Sequence, residues 1–264
     1  MTNGGLVAVL KSKRRVASLA VSGGILVGFC LGQALAAGLE ADLPRLLEGV
    51  QTIGAPGVPG PLCVAGNKAF AVVVGRTGGE RQAAVVAAGR LDKGRVVAFG
   101  HTGYFDGPTL EIADTGVLVQ NAVRWASGRT DRKGPAVRVA VVRRPQLATH
   151  LKKAGFAAEE REGNKLAAAL DAFDVVAMDA NEVADPALAE AMLAFVRGGK
   201  GIVMTSLGWG WLQLHPGKDL VDDHPGNRFL VKAGIAWADG YLQRTAGPGF
   251  AADAEVSPLV HAGR

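Results

Sequence analysis

Between Val137 and Thr205, short β-branched runs alternate with helix-length segments, and no other feature of the chain limits its fold as tightly. Residues 137–142 (VRVAVV) read as a strand, 145–154 as a helix ended by Gly155, 164–170 as a second helix and 174–178 (DVVAM) as the next strand. Asp185-Pro186 then opens a helix through Val196, with Pro in its first turn, and Gly198-Gly199 closes it before a strand at 201–205. Strands separated by helices of this length pair in parallel through right-handed crossovers. The expected class is α/β, a mostly parallel sheet with flanking helices.

The first half adds antiparallel character. Residues 69–75 (AFAVVVG), 83–88 (AAVVAA) and 95–100 (RVVAFG) are close-spaced β-branched runs joined by Gly-rich turns, which predicts hairpins. Thr109 is expected to cap one helix running to about Trp125 or Ser127. Ahead of the strands, 42–49 reads as a short helix with Leu43, Leu46 and Leu47 on one face, and 54–61 (GAPGVPGP) as an irregular surface connection. The expected organisation is a signal peptide at 1–37, a short helix and Gly/Pro-rich lead-in at 38–68, and a single α/β domain at 69–264.

The signal expectation rests on a basic head (Lys11, Lys13, Arg14, Arg15), an uncharged apolar stretch from Val16 to Leu35, and the small-residue exit Ala34-Leu35-Ala36. It places the protein in a secreted or periplasmic compartment after cleavage, and on a membrane only if the segment stays uncleaved. It also accounts for the charge. The chain carries 29 basic against 24 acidic side chains, a balance of +5, and four of the bases lie in residues 1–37 with no acid beside them. The remainder is nearly neutral, and its basic clusters (Arg129, Arg132, Lys133; Arg143, Arg144) read as solvated loop and strand ends, so no nucleic-acid partner is expected. Cys63 is the second of two cysteines and the only one beyond the signal segment, so no internal disulfide is expected and its apolar setting suggests a small buried hydrophobe.

Residues 206–240 change character. They hold three of the four tryptophans (Trp209, Trp211, Trp237) and two of the five histidines (His215, His224), with Asp219, Asp222 and Asp223, and they follow the carboxyl end of a strand. Ligands of open parallel sheets sit outside such ends. Ser206-Leu207-Gly208 is half of a nucleophile elbow, with His215 or His224 as a candidate base and Asp219 or Asp222 as a candidate orienting acid, but Met204 stands where the elbow needs Gly. The spacing of His215, Asp222, Asp223 and His224 fits no compact ligand motif, and no His-Glu-x-x-His helix occurs, so neither a metal nor any other cofactor is expected. If the stretch is extended, Trp209 and Trp211 point the same way and suit stacking on a sugar or apolar ligand; burial under a loop is the plainer alternative. His101 and Tyr104, in the Gly-rich turn 100–104, follow another strand and form a second wall of the same cleft.

Four segments carry a resemblance. Residues 89–105 (GRLDKGRVVAFGHTGYF), 121–125 (NAVRW), 195–211 (FVRGGKGIVMTSLGWGW) and 224–235 (HPGNRFLVKAGI) together resemble the N-terminal region of the TRPM channel-associated factor (TCAF) family and of related enhancin-like zinc peptidases, over roughly 48–237. The resemblance implies a class I glutamine amidotransferase-like, flavodoxin-like fold. In such enzymes a Cys sits in the elbow, whereas here that place falls near Ser206; the relatives' proteolysis belongs to a later, zinc-bearing domain. The expected function is therefore a non-catalytic accessory or ligand-binding domain serving a small molecule, a glycan or a protein through Trp209, Trp211, His101, Tyr104, His224 and Asn227. The alternative is an amidotransferase-like hydrolase with Ser206 or Cys63 as a non-standard nucleophile.

Overall fold

Helix formation begins where Leu46 finds a core to enter. In the computed structural model, which describes residues 42–129 and 134–262, α1 (42–46) seats Leu46 fully buried, and Gly49 at φ +71° turns the chain away. The expected signal segment, Arg132 and Lys133 lie outside the described residues. Two short strands follow, β1 (Thr52–Gly54) and β2 (Leu62–Ala65). The Gly/Pro stretch between them is not the surface connection expected. Ile53, Gly54, Ala55, Pro56 and Gly60 are buried, because Gly60 donates its N–H to the Gly100 carbonyl at 2.9 Å and a Cβ on Gly100 would stand 2.2 Å from the Gly60 carbonyl oxygen. Only glycine lets the two backbones approach this closely.

The hairpins form where the β-branched runs predicted them. β3 (Ala69–Gly78) pairs antiparallel with β4 (Arg81–Leu91), which pairs antiparallel with β5 (Gly94–Phe99). The expected helix from Thr109 is instead two pieces, α2 (Gly107–Leu110) and α3 (Thr115–Ala126). The break has a tertiary cause. The Asp114 carboxylate accepts the N–H groups of Gln51 and Thr52, Thr115 Oγ1 accepts that of Gly54, and Ala113 at φ +48° bridges to Ile53. Docking β1 there satisfies backbone donors that helix continuity would leave unpaired.

The remaining strands are β6 (Arg138–Val142), β7 (Ala157–Arg161), β8 (Val175–Asp179), β9 (Gly201–Thr205), β10 (Ile235–Trp237), β11 (Gly249–Ala251) and β12 (His261–Ala262). The helices among them are α4 (Pro145–Lys153), α5 (Gly163–Leu166), α6 (Pro186–Arg197), α7 (Gly208–Leu214) and α8 (Pro225–Leu230). The large sheet runs β10-β2-β4-β5-β9-β8-β6-β7, with β3 paired to β4 and β12 to β2; β1 and β11 form a separate pair. From β5 to β7 every neighbour is parallel. β7 (AAEER) has no β-branched residue to announce it, and it forms because it closes the sheet edge, where charged side chains are tolerated and deter further pairing.

Two apolar layers cover the sheet. Leu118 and Val119 of α3 and Leu147 and Leu151 of α4 pack on one face; Leu166 of α5 and Leu188 and Met192 of α6 pack on the other. Chain direction therefore diverges between β6 and β8, whose exits carry the polypeptide to opposite faces. Ion pairs fill that divergence: Arg143, at φ +50°, pairs with Glu182, and Arg144 reaches Asp106 at 3.2 Å and Asp179 at 3.6 Å. At the opposite edge, Asp174 gathers Arg129, Arg138 and Lys200 at 3.0–3.1 Å and ties the amino ends of β6, β8 and β9 together. Arg143 stays exposed, as a solvated strand end would be, while Arg129 and Arg144 are partly buried and add these carboxylate partners. Among the described residues, no helix is long and apolar enough to cross a membrane.

Candidate functional site

β9 ends at Thr205, and Ser206 follows it onto the carboxyl edge of the sheet. Its Oγ lies 3.0 Å from His224 Nε2, eighteen residues on, with Ser206 1% and His224 0% exposed. The chain thus unites the serine with one of its two candidate bases. What decides the chemistry is the other ring nitrogen. His224 is the N-cap of α8, and its Nδ1 accepts the Asn227 backbone N–H at 3.1 Å, an amide shared with the His224 carbonyl. A backbone amide only donates, so Nδ1 is bare and the neutral imidazole carries its proton on Nε2. That proton points to Ser206 Oγ, making the histidine the donor and the serine the acceptor.

A serine hydrolase needs the reverse, a proton on Nδ1 held by a carboxylate and a lone pair on Nε2 for the attacking hydroxyl. Among the described residues no carboxylate bonds to His224. Asp222 is exposed, and its own N–H binds Asp219 Oδ1 at 2.8 Å. His215, the residue that ends α7, is exposed; its Nδ1 faces the Trp211 carbonyl at 2.8 Å and its ring stacks on that indole at 4.1 Å. Burial, then the charge of His215, pushes His224 down to about 4, so it is neutral at pH 7. The backbone is also no elbow. The non-glycine residues at positive φ among the described ones are Asp92, Ala113 and Arg143, so Ser206 is not on the strained turn that exposes a nucleophile.

Asn227 completes a structural clamp. Its Nδ2 donates to the Leu220 and Trp237 carbonyls, both at 2.8 Å, and its Oδ1 accepts the Trp237 N–H at 2.7 Å. Trp237 in turn donates its indole N–H to the Phe99 carbonyl at 2.9 Å. Space around the pair is closed: a Cβ on Gly226 would stand 2.6 Å from Ala180 Cβ and 2.7 Å from the Trp237 ring, and one on Gly208 would stand 2.2 Å from the Ala238 carbonyl oxygen. Ser206 itself is 1% exposed, so its hydroxyl is closed to solvent in this packing.

The two tryptophans are not side by side, because 208–214 is helical. Two residues along a helix turn the side chain by about 200°. Trp211 goes inward, 7% exposed, against His224 at 5.1 Å. Trp209 stays half-buried, donates its indole N–H to the Val58 carbonyl at 3.1 Å and meets Tyr241 edge-on at 5.6 Å. Tyr241 is 60% exposed. Sequence reasoning missed this partner, since only the fold brings Gly240-Tyr241 back to α7; Gly60, Leu207 and Gly240 close the space between them. His101 Nδ1 accepts the Gly103 N–H at 2.9 Å, and burial lowers its pKa. Tyr104 is fully buried with its hydroxyl unpartnered, and burial raises it far above the ordinary phenol. Cys63, expected inside, is exposed on β2; partial burial pushes its thiol up, away from the reactive thiolate. No group of three or more His, Cys, Asp or Glu that could hold a metal ion occurs among the described residues.

Comparison with known proteins adds a lineage to this geometry. The family model described as "TRPM8, N-terminal domain" (TCAF_N) matches residues 11–248. The chain is 30% identical over 201 residues to TRPM8 channel-associated factor 2 of Bos taurus, covering 75% of this chain and 20% of the relative, and 27% identical over 205 residues to a TRPM8 channel-associated factor homolog of Danio rerio, covering 76% and 20%. It therefore spans about a fifth of the length of these curated relatives. Among solved structures it resembles the IMPa metallopeptidase from Pseudomonas aeruginosa (TM-score 0.57, 15% identity, 81% of this chain and 24% of that one). The same peptidase solved in complex with an O-glycopeptide matches with TM-score 0.54 at 15% identity over the same shares. At this identity the structural likeness concerns the fold alone.

Proposed function

The chain belongs to the TCAF N-terminal domain family, and from that premise we propose that it is a non-catalytic accessory domain that binds glycan-bearing ligands. One observation carries the non-catalytic part: the Asn227 amide occupies His224 Nδ1, which leaves Nε2 a donor and Ser206 without a base. The binding part is supported by Trp209 and Tyr241, an edge-on aromatic pair that reaches solvent beside half-exposed Val58. Aromatic faces next to polar backbone suit the apolar side of a sugar ring. The fold neighbours were solved with an O-glycopeptide and with T-antigen, and that chemistry is the one we transfer to this chain as a proposal.

The reading moves the contact surface from the Trp209–Trp211 pair expected from sequence to Trp209–Tyr241. Trp211, His224 and Asn227 support it from beneath, and His101 and Tyr104 brace the neighbouring turn. We further propose a class I amidotransferase-like ancestry for the sheet, supported by the parallel order β5-β9-β8-β6-β7 with helices on both faces, and export directed by residues 1–37. Titration of a T-antigen disaccharide and an O-glycopeptide into the full chain, followed by tryptophan fluorescence, tests the binding. Saturable quenching lost in Trp209→Ala and Tyr241→Ala is the expected result. Binding unchanged in both variants, or no binding at all, would overturn the assignment. Hydrolysis of an ester or amide that disappears in Ser206→Ala or Cys63→Ala would favour the hydrolase alternative.

A further inference from the structure

At the edge of the sheet opposite Ser206, where β5 begins and α3 ends, a cavity of about 240 Å³ is lined by Arg45, Arg95, Arg124 and Arg129 with Trp125, Asn121 and Glu48. Among the described residues that line it, the four arginines stand beside the Glu48 carboxylate, and the Arg124 guanidinium lies over the Phe156 ring at 4.8 Å. Such a concentration in a chain whose charge is nearly balanced outside the signal segment calls for a ligand-side explanation. Arg129 is held by Asp174 at 3.1 Å and by the Pro135 carbonyl at 2.7 Å. Arg95 donates to the Trp125 carbonyl at 2.9 Å and lies over the Trp125 ring at 5.4 Å, so it is fixed in place without a carboxylate of its own. Arg45 is exposed and forms no ion pair among the described residues.

Burial, then the positive charge of Arg90, pushes Arg95 below the ordinary guanidinium range; Asp42 opposes this and Arg45 adds to it. Like charges held together in a partly dry recess are stabilised by an anion that enters it. Trp125 is 4% exposed, lines the cavity, and its buried indole N–H has no acceptor. That N–H is closed to solvent, so a ligand held by Arg95 is felt at the indole through the ring beneath that guanidinium and not through a bond to Nε1. A guanidinium fork bonds two oxygens at a time, of a carboxylate as of a phosphate or sulfate; a tetrahedral oxyanion keeps a third oxygen for a second guanidinium, which a carboxylate lacks, and a halide fits no fork.

We propose that this cavity binds a small oxyanion monoester, a phosphate or sulfate carried on a compact alcohol such as a sugar. Arg45 and Arg95 grip the oxyanion, and Arg129, steadied by Asp174, closes the cavity wall. The site lies at the amino ends of the parallel strands and does not depend on the aromatic surface around Trp209.

Calorimetry on the full chain at fixed ionic strength tests it, with glucose 6-phosphate, galactose 6-sulfate, inorganic phosphate, inorganic sulfate and chloride as separate probes. One-to-one binding of at least one ester, beyond any chloride effect, is expected, and the phosphate and sulfate arms decide which ester is preferred. Arg45→Ala, on the surface and outside the core, is expected to weaken binding about tenfold, and Arg95→Gln to weaken it further. The Trp125 indole N–H resonance, assigned with Trp125→Phe, is expected to shift on saturation. Heats no larger than those of chloride, or affinity unchanged in Arg45→Ala, would overturn the proposal. Trp209→Ala is expected to leave ester binding intact, so failure of the glycan reading and failure of this one are separable.

Discussion

Lowering the pH acts on His224 in a way that reports its hydrogen bonding. The folded imidazole titrates at about 4, against 6.5 for an unperturbed one, because burial and the nearby His215 disfavour its charge. Between those values the unfolded chain binds the proton and the native one does not, so this group adds stability at neutral pH that fades as the pH falls. With about 1.4 kcal/mol per unit, the contribution lost between pH 7 and pH 4.5 is about 2.5 kcal/mol, and about 3 kcal/mol once the folded value is passed. Asp179, raised by burial, works in the opposite sense, since the native state takes up its proton first. Urea unfolding of the wild type and of His224→Gln at both pH values removes that background, because Asp179 titrates in each. The wild type is expected to lose about 2.5 kcal/mol more than the variant. Equal losses would refute the depressed imidazole, and nitrogen NMR placing the ring proton on Nδ1 would refute the tautomer from which the non-catalytic reading follows.

Two further substitutions probe the frame around the site. Asn227→Ala removes three hydrogen bonds at 2.7–2.8 Å and strands the Trp237 amide in a buried contact, so a loss of about 2–4 kcal/mol is expected in chemical denaturation; a change below measurement error would mean that the clamp is dispensable. Asp174→Asn leaves Arg129, Arg138 and Lys200, all partly exposed, without their shared carboxylate and is expected to lower stability measurably at pH 7, less than breaking a buried pair would because solvent screens these charges. Burial alone would raise Asp174, but the Arg138 hydrogen bonds and the Lys200 charge outweigh it and hold it well below 3.8. Its stabilisation is therefore present above the ordinary carboxylate range and lost as the pH falls through the lower folded value, an acid-side loss that the Asn variant is expected to lack.

Strands and helices that owe their form to local pattern were legible in the sequence. β9 falls on the expected 201–205, and α6 starts where Asp185 caps it through two backbone amides. What escaped was set by partners far along the chain. The interruption between α2 and α3 exists because β1 docks at Asp114 and Thr115, more than sixty residues on. α7 carries Gly208 and Gly210, which argue against a helix, yet Trp211 and His215 sit four apart and stack, a spacing that was visible in the sequence and is the mark of one helix face. Tyr241 gave no local signal at all, because its meeting with Trp209 is a product of tertiary structure.

Ser206 and His224 show why residue types near one another do not amount to a reaction. An imidazole has two nitrogens, and its neutral form has one proton to place between them. Here the cap of α8 claims Nδ1 with a backbone N–H, which side-chain substitution short of proline cannot remove, so the proton stays on Nε2 and faces the hydroxyl. Bringing the Asp222 carboxylate to the ring would not reverse this, since an orienting carboxylate must accept a proton from the very nitrogen that already accepts one. Turning the pair into a nucleophile and its base would require withdrawing α8 from His224, with the Asn227 bonds to Leu220 and Trp237 lost in the same movement. The arrangement is stable because it is a helix cap, and being a helix cap is what withholds a base from Ser206.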